Sequence, residues 1–259
     1  MKKAKIEDAA RILAEAWRTG TPLAALPEDC RPKTAAEAYA VQDAAAAALA
    51  QKVVGWKVGA TGQMARKLLK TRLPFAGRVY ASRVHRDGAT IPSGAHPMRG
   101  LEAEIAFRLG KDLPPRARPY TMAEVRRAVA SVHPAVEIVS SRWTDWLAVG
   151  LHSVVADHGA NGALVVGRPL SGGTELDLDR LEVEMRVDGA TVGKGTGAAV
   201  IGGPHGSLLW LANLLRRRGG LKAGEYVSTG TCTGLVKAPA GAAVVALYAG
   251  KPRVSFRFV

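Results

Sequence analysis

From residue 53 onward the sequence is a succession of short β-rich runs, and this feature limits the possible folds more than any other. The runs are separated by Gly and Pro, and they include VVGWKVGA, EAEIAFRL, AVEIVSSR, GALVVG, LEVEMRV, AAVVALYA and RVSFRFV. Two helical segments interrupt them: one begins at Thr121, with Glu124 in the capping-box position, and the other is SLLWLANLLRRRGG. Because these helices do not alternate regularly with the strands, the pattern predicts an α+β fold with a mixed or antiparallel sheet.

The first 52 residues have a helical pattern instead. The apolar residues that recur on one face of the first predicted helix are Ile6, Ala9, Leu13 and Trp17. After a Pro-rich gap, Thr34 and Glu37 form a capping-box pattern that predicts the start of a second helix. The sequence therefore predicts two regions, an N-terminal helical region at residues 1–52 and a main domain at residues 53–259.

Apolar runs and cysteines indicate the compartment. No window approaches the roughly 18 apolar residues that suggest a membrane span, and the basic start of the chain lacks the apolar core of a signal peptide. The two cysteines, Cys30 and Cys232, lie far apart and outside any CxxC pattern, which argues against a disulfide framework or a thiolate zinc site. We expect a cytoplasmic protein with two reduced thiols and no membrane association.

The formal net charge of +14 raises an alternative of another class, a non-catalytic cationic protein that binds nucleic acid. The basic residues are scattered, with RRR at 216–218 as the densest run, and aromatic residues make up only 5% of the chain. No alternation of basic and aromatic residues forms a platform for stacking bases. The distribution of charge therefore disfavours nucleic-acid binding. The net positive charge is equally consistent with a small anionic substrate.

Two pairs of glutamates alternate with apolar residues inside predicted strands. Glu102 and Glu104 share one face of their strand, because successive side chains in a strand point to opposite faces. Glu182 and Glu184 show the same spacing, but their strand runs into an Asp-Gly turn of the hairpin type. The second pair is therefore predicted to lie on the solvent-facing side of a hairpin, and periodicity alone allows the same interpretation for the first pair.

A third carboxylate, Glu137 in AVEIVSSRW, makes the first pair a candidate metal site. Three carboxylates brought together from two strands repel one another unless a cation compensates for their charge. Ligands that are all oxygen atoms indicate a hard ion, Mg²⁺ or Mn²⁺, with the remaining positions left to water and substrate.

Several motifs that occur in one order carry a resemblance to a known family: GWKVGAT, LEAEIAFRLGKDLP, AVEIVSSRWTDW, ADHGANGALVVG, WLANLLRRRGGLKAGE and VSFRF. Together they resemble the 2-keto-4-pentenoate hydratase and 4-oxalocrotonate decarboxylase family of the fumarylacetoacetase-like superfamily. The resemblance covers nearly the whole chain from about residue 35. It implies a rolled mixed β-sheet with an N-terminal helical part, and a metal site at Glu102, Glu104 and Glu137. We also expect a homo-oligomer, and an association with a partner enzyme of the same pathway.

The resemblance also implies which residues meet the substrate. Lys57 in GWKVG matches the active-site lysine of the family, and its charge would offset the net −1 of three carboxylates and a divalent ion. We therefore predict both a catalytic and a substrate-binding role for Lys57. The turn STGTCTG lies where the family closes over the substrate carboxylate, so Thr229, Gly230 and Thr231 are predicted to bind the substrate.

The chain departs from the family pattern at two places. The family commonly has ADNASS where this chain has ADHGAN, and an acidic residue where this chain has Arg72. With the serine pair missing, we expect proton transfer to depend on Asp157 or His158, and the imidazole to act as a general acid or base. The alternative is that His158 is a structural histidine beside a loop glycine, with no role in proton transfer.

These expectations converge on a divalent-metal-dependent lyase. The first prediction is a hydratase of a 2-hydroxypenta-2,4-dienoate-type substrate in the degradation of aromatic compounds. A 4-oxalocrotonate-type decarboxylase or an acylpyruvate hydrolase is the alternative. All three chemistries need a metal that stabilises the developing enolate of a 2-oxo acid, so the sequence does not separate them.

Overall fold

The structure is a computed structural model that describes residues 1–259, apart from the side chain of residue 252. These described residues form six α-helices: α1 Lys3–Thr19, α2 Ala35–Leu49, α3 Gln63–Leu68, α4 Met122–Ala128, α5 Leu151–Ala156 and α6 Gly203–Leu215. They also form thirteen β-strands: β1 Val53–Gly59, β2 Phe75–Tyr80, β3 Val84–Arg86, β4 Ala89–Ile91, β5 Gly100–Leu109, β6 Val129–Val139, β7 Asn161–Val166, β8 Glu182–Val187, β9 Ala190–Thr196, β10 Tyr226–Thr231, β11 Val236–Lys237, β12 Ala243–Tyr248 and β13 Lys251–Phe258. None of the helices in this part of the chain has the length and apolar character that a bilayer crossing requires.

The predicted N-terminal helices are confirmed, with one difference at a cap. In α1 the predicted apolar face is buried at Ala9, Leu13 and Trp17. The side chain of Thr34 caps α2 by accepting a hydrogen bond from the amide of Glu37, but the Glu37 carboxylate accepts from the amide of Lys33 at 2.7 Å. The division of the chain at residue 52 stays a prediction.

A buried glutamine joins α2 to the rest of the molecule. The amide of Gln42 donates hydrogen bonds to the carbonyl of Ala76 in β2 at 3.1 Å and to that of Val155 in α5 at 2.6 Å. The hydroxyl of Tyr39, also in α2, accepts from the amide of Ala76 at 2.9 Å. The helices therefore pack against the sheet through satisfied polar contacts as well as apolar ones.

The larger sheet is mixed and rolled, as predicted. Its order is β2-β1-β10-β5-β6-β7-β3, with β11 paired to β5, and the pairs β1–β10 and β3–β7 are parallel. The sheet curls until β2, at one edge, meets the turn before β7, near the other edge. A Cβ atom added at Gly77 in β2 would lie only 1.9 Å from the carbonyl oxygen of His158, so only glycine permits this approach.

A second sheet, which the sequence did not separate from the first, has the order β4-β13-β12-β8-β9. It packs on the larger sheet through Tyr248 of β12, whose hydroxyl donates to the carbonyl of Glu104 at 2.6 Å and accepts from the amide of Ala135 at 3.2 Å. The β8–β9 hairpin is confirmed, with Asp188 and Gly189 at positive φ in its turn. The α+β fold class is confirmed.

Candidate metal centre

The pairing of β5 with β6 brings the three predicted glutamates together. The antiparallel register places Glu102 opposite Glu137 and Glu104 opposite Ala135, so all three carboxylates lie on one face. One oxygen atom from each carboxylate lies within 4.8 Å of the others. The side chains of Glu104 and Glu137 are fully buried, with 0% exposure.

The electrostatics of this cluster fit a divalent cation. Burial, and then the charge of Glu137, raise the pKa of Glu102 to about 7, and the same causes raise the pKa of Glu104 well above its ordinary range. Oε1 of Glu104 and Oε2 of Glu137 are buried and have no hydrogen-bond partner in the described residues. Buried carboxylate oxygens without a donor are costly, and coordination by a hard cation satisfies them. The residues therefore fit Mg²⁺ or Mn²⁺.

Strand β10 holds Glu104 in place. The hydroxyl of Ser228 donates to Oε2 of Glu104 at 2.5 Å, and the amide of Gly230 donates to the same atom at 2.8 Å. These two bonds hold Oε2, while Oε1 has no partner in the described residues. The sequence analysis did not single out Ser228 as a site residue. The available signal was its spacing, because residues 228 and 230 of a strand share one face.

The predicted substrate-binding turn has its donors engaged within the chain. The hydroxyl of Thr229 donates to the carbonyl of Ile105 at 2.6 Å, and that of Thr231 donates to the carbonyl of Gly234 at 3.1 Å. The amide of Gly230 is bonded to Glu104. In this structure the turn thus positions a metal-ligand candidate, and the substrate-binding role of Thr229, Gly230 and Thr231 stays a prediction.

Lys57 lies at the glutamate cluster, as the sequence predicted. Its Nζ atom is 3.3 Å from Oε1 of Glu137, and both side chains are buried. Burial by itself lowers the pKa of Lys57, but the negative charges of the three glutamates outweigh it and leave the pKa above its ordinary value. The cluster is therefore three carboxylates with one ammonium group, enclosed on one side by the ring of Phe75 at 5.3 Å from Nζ.

Asn161, the first residue of β7, is a site residue that sequence reasoning did not single out. Its amide nitrogen donates to Oε1 of Glu137 at 3.1 Å, while its Oδ1 atom is buried and has no partner in the described residues. In the sequence it figured only as part of the ADHGAN departure. The available signal was its place at the start of a strand next to the one that carries Glu137.

Asp157 is buried, but its carboxylate is used elsewhere. Its Oδ1 atom pairs with Nε of Arg142 at 2.5 Å, and Oδ2 accepts from the Ser141 hydroxyl at 3.1 Å and from the Arg142 amide at 3.0 Å. A carboxylate that accepts from three donors holds the loop after β6 in place. The structure does not bring it into the glutamate cluster.

His158 is also directed away from the glutamates. Its Nε2 atom is 3.1 Å from the hydroxyl of Tyr80, and its ring packs edge-on against Trp17 and Tyr80, with centroid distances of 5.6 Å and 5.3 Å. Burial, together with the charges of Arg142 and Arg78, lowers the pKa of His158 well below its ordinary value. The expected acid–base role of Asp157 or His158 therefore lacks geometric support, because packing against α1 and the left-handed φ of 50° at His158 orient this turn.

We expect the His158→Asn variant to keep the pH dependence of turnover and to lose stability instead. Asn tolerates the positive φ, but it is too short to replace the contacts with Trp17 and Tyr80. The free energy of unfolding should fall by about 1 to 3 kcal/mol, the cost of leaving the Tyr80 hydroxyl unpaired. Denaturant unfolding and a pH–rate profile measure the two effects. Loss of a limb near pH 6 to 7 in the variant would restore His158 as a proton-transfer group.

The comparison with protein families identifies the family of this chain. The model of the fumarylacetoacetate (FAA) hydrolase C-terminal family matches residues 41–256. The chain belongs to this fumarylacetoacetate hydrolase family. The family recognised from the motifs is thereby confirmed, and the match includes all three glutamates, Lys57 and Asn161.

Individual relatives of this family member include enzymes of two kinds. The chain is 34% identical over 239 residues to a 2-keto-4-pentenoate hydratase of Paraburkholderia xenovorans, covering 91% of this chain and 88% of that protein. It is 34% identical over 242 residues to a 2-hydroxyhexa-2,4-dienoate hydratase of Comamonas testosteroni, covering 91% and 90%. Among solved structures, it matches a 4-oxalocrotonate decarboxylase of Pseudomonas putida G7, complexed with magnesium and adipate, at a TM-score of 0.91 and 29% identity, covering 100% of this chain and 99% of that one.

Proposed function

We propose that this protein is a divalent-metal-dependent lyase that hydrates a 2-hydroxypenta-2,4-dienoate-type substrate in the degradation of aromatic compounds. One observation carries the proposal: the cluster of Glu102, Glu104, Glu137 and Lys57, in which Oε1 of Glu104 and Oε2 of Glu137 are buried without a donor and the lysine lies 3.3 Å from Glu137. The sequence similarity to hydratases over 91% of the chain supports the choice of reaction.

The residues of this chain have distinct tasks in such a reaction. The three glutamates would hold Mg²⁺ or Mn²⁺, which when bound supplies a Lewis acid toward the oxygen atoms of a 2-oxo acid. Lys57 would bind the anionic substrate, because its ammonium group offsets the excess negative charge of the carboxylates. Burial of Lys57 and Glu104 excludes bulk water, which strengthens each of these electrostatic interactions.

Asn161 would orient the water that adds to the substrate. Its nitrogen donates to Glu137, and its Oδ1 atom, a carbonyl oxygen that can only accept, has no partner among the described residues. A water or substrate hydroxyl that donates to Oδ1 would be held next to the metal centre. This supports a role for Asn161 at the position where the family commonly has a serine.

A decarboxylase of 4-oxalocrotonate type is the second candidate, and the TM-score of 0.91 with a decarboxylase structure favours it. The experiment that separates the candidates uses purified protein with Mg²⁺ or Mn²⁺ and freshly prepared 2-hydroxypenta-2,4-dienoate, 4-oxalocrotonate or an acylpyruvate. A hydratase converts the dienol, so that its absorbance falls, and gives a 2-oxo acid that carries the added water as a hydroxyl group on its carbon chain. A decarboxylase releases CO₂ instead. Binding of Mn²⁺ and oxalate without turnover of any substrate would contradict the proposed reaction while leaving the metal centre in place.

The affinity for Mn²⁺ should rise with pH. The ion needs deprotonated carboxylates, while the pKa of Glu102 lies at about 7 and that of Glu104 lies above its ordinary range in the metal-free protein. Metal binding therefore releases protons, and the apparent affinity should fall by up to about tenfold per pH unit for each proton displaced as the pH drops below 7. Calorimetry in two buffers with different ionisation enthalpies measures this release. Equal heats in both buffers, with a flat pH dependence, would contradict it.

The same pKa shifts have the opposite effect on the metal-free fold. The folded state binds more protons than the unfolded state between the ordinary glutamate pKa of 4.5 and the value of about 7 for Glu102. Stability of the metal-free protein should therefore fall as the pH rises through this window. Saturating Mn²⁺ should remove this loss.

The assembly and location are proposed on other features. Exposed apolar side chains at Met64, Leu68 and Leu73 support a homo-oligomer, and light scattering of the purified protein tests it. Association with a partner enzyme of the same pathway remains part of the proposal and is tested by co-purification with that enzyme. Two free, buried thiols, Cys30 and Cys232, support a reducing compartment such as the cytoplasm.

A further inference from the structure

A cavity separate from the glutamate cluster lies beside the end of α1. It has a volume of about 780 Å³ and lies among the end of α1, the segment before β5 and the loop after β6. Three indoles line it, those of Trp17, Trp143 and Trp146. Among the described residues, none that lines this cavity is acidic.

Four cationic residues line the cavity, and two of them, Arg18 and Arg142, have an acidic partner that lies outside its lining. Arg83 is partly buried, lies over the ring of Trp17 at 5.5 Å, and forms no ion pair within the described part of the chain. Arg142 lies over the same ring at 4.2 Å, and its partner is Asp157 outside the cavity lining. Lys237 lines the cavity and is exposed, again without an ion pair among the described residues. Partly buried guanidinium groups normally have an anionic partner, so the charge of Arg83 favours an external anion here.

A buried imidazole in the same wall lacks a partner as well. His96 is only 2% exposed, and its Nδ1 atom has no hydrogen-bond partner in the described residues. Gly162, which also lines the cavity, packs closely on this ring, because a Cβ added there would lie 2.9 Å from Nδ1. Burial lowers the pKa of His96 to about 3, so the ring is neutral near pH 7 and offers one donor and one acceptor.

We infer that this cavity binds a small aromatic carboxylate, with the carboxylate at Arg83 and Lys237 and the ring among the indoles of Trp143 and Trp146. A guanidinium group matches a carboxylate in a bidentate geometry, and indole faces pack well against a planar ring. A volume of several hundred Å³ with apolar walls and a few polar groups is typical of small-molecule sites. The imidazole of His96 supplies a further polar contact for a ring substituent.

This cavity adjoins the start of β7, which also contacts the metal centre. Gly162 lines the cavity, whereas the preceding residue, Asn161, donates to Glu137 of the glutamate cluster. Gly162 lies at an irregularity of the β6–β7 register, where Val139 pairs with Asn161 and Ile138 with Ala163, and none of the three glutamates lines the cavity. Because neither the glutamates nor Lys57 lines the cavity, we expect binding there to be independent of the metal and of the proposed reaction.

Titration of the purified protein with benzoate tests the inference, followed by calorimetry and by tryptophan fluorescence. We expect saturable benzoate binding that is the same with EDTA and with Mg²⁺ plus saturating oxalate, and far weaker binding of the neutral isostere benzamide. Arg83→Gln should weaken benzoate about 10- to 100-fold, the effect of losing one charge-assisted contact. Arg86→Gln is the matched control, because Arg86 is exposed and does not line this cavity.

Lys237→Gln provides a second variant at an exposed position, in case Arg83→Gln does not fold. It should weaken benzoate several-fold with the unfolding transition unchanged. No benzoate binding to the parent protein, equal affinity for benzamide, or displacement of benzoate by oxalate would each overturn the inference. Displacement by oxalate would place the bound benzoate at the metal centre.

Discussion

The Glu104→Gln variant is expected to lose Mn²⁺ binding while it keeps its fold. A glutamine keeps an oxygen acceptor for the Ser228 hydroxyl and the Gly230 amide, which now bond to Glu104 at 2.5 Å and 2.8 Å. It removes, however, the negative charge and replaces the unpartnered oxygen with an amide nitrogen, which does not bind a hard cation. Because even partners of metal ligands typically contribute about 10- to 100-fold to affinity, loss of a ligand should cost at least roughly 100-fold.

The metal-free form of this variant should be at least as stable as the parent. Burial of a charged Glu104 beside two other carboxylates is unfavourable, and its raised pKa reports this cost. Titration calorimetry with Mn²⁺ and thermal unfolding in EDTA measure the two properties. The matched control is Glu182→Gln, because Glu182 has the same spacing to its neighbour but lies exposed in the β8–β9 hairpin. Unchanged Mn²⁺ affinity in Glu104→Gln would refute the metal assignment.

The Lys57→Met variant should bind oxalate about 10- to 150-fold more weakly, with turnover reduced at least as much. Oxalate stands for the carboxylate and 2-oxygen of the substrate, and Lys57 is the cation that lies 3.3 Å from Glu137 in the cluster. Loss of a hydrogen bond to a charged group costs about 1.5 to 3 kcal/mol, which corresponds to this range. Methionine fills a similar volume, so the variant isolates the charge.

The affinity of Lys57→Met for Mn²⁺ should stay the same or increase, because a positive charge beside the ion has been removed. Calorimetry with Mn²⁺, and then with oxalate on the loaded protein, separates the two effects. Lys52→Met is the control, since Lys52 is exposed just before β1 and does not contact the glutamates. Oxalate affinity equal to that of the parent would remove Lys57 from the site.

The sequence alone predicted the features that depend on local periodicity and on motifs. Alternation with period two placed Glu102 and Glu104 on one face of β5, and the Asp-Gly turn marked the β8–β9 hairpin. The capping box at Thr121 formed as predicted, with both reciprocal hydrogen bonds. The motifs led to the family, and with it to the rolled sheet and to the place of Lys57 beside the glutamates.

The tertiary structure decided which of two identical Glu-x-Glu patterns is buried. Periodicity assigns both glutamates of a pair to one face, but only the neighbouring strands determine whether that face is enclosed. At β5 the partner strand β6 adds Glu137 opposite Glu102, and β10 adds the donors of Ser228 and Gly230. At β8 the corresponding face is open to solvent, and Glu184 pairs with Arg186 at 2.6 Å.

The directions of the side chains in the turn before β7 likewise could not be predicted from the sequence. The motif ADHGAN suggested proton transfer by Asp157 or His158. In the structure Asp157 pairs with Arg142, His158 packs on Trp17, and Asn161 donates to Glu137. Left-handed backbone at His158 and the contact with Gly77 set these directions. Such side-chain directions depend on packing between segments that are far apart in the sequence. Hydrophobic periodicity gives information only about residues that are close in the sequence.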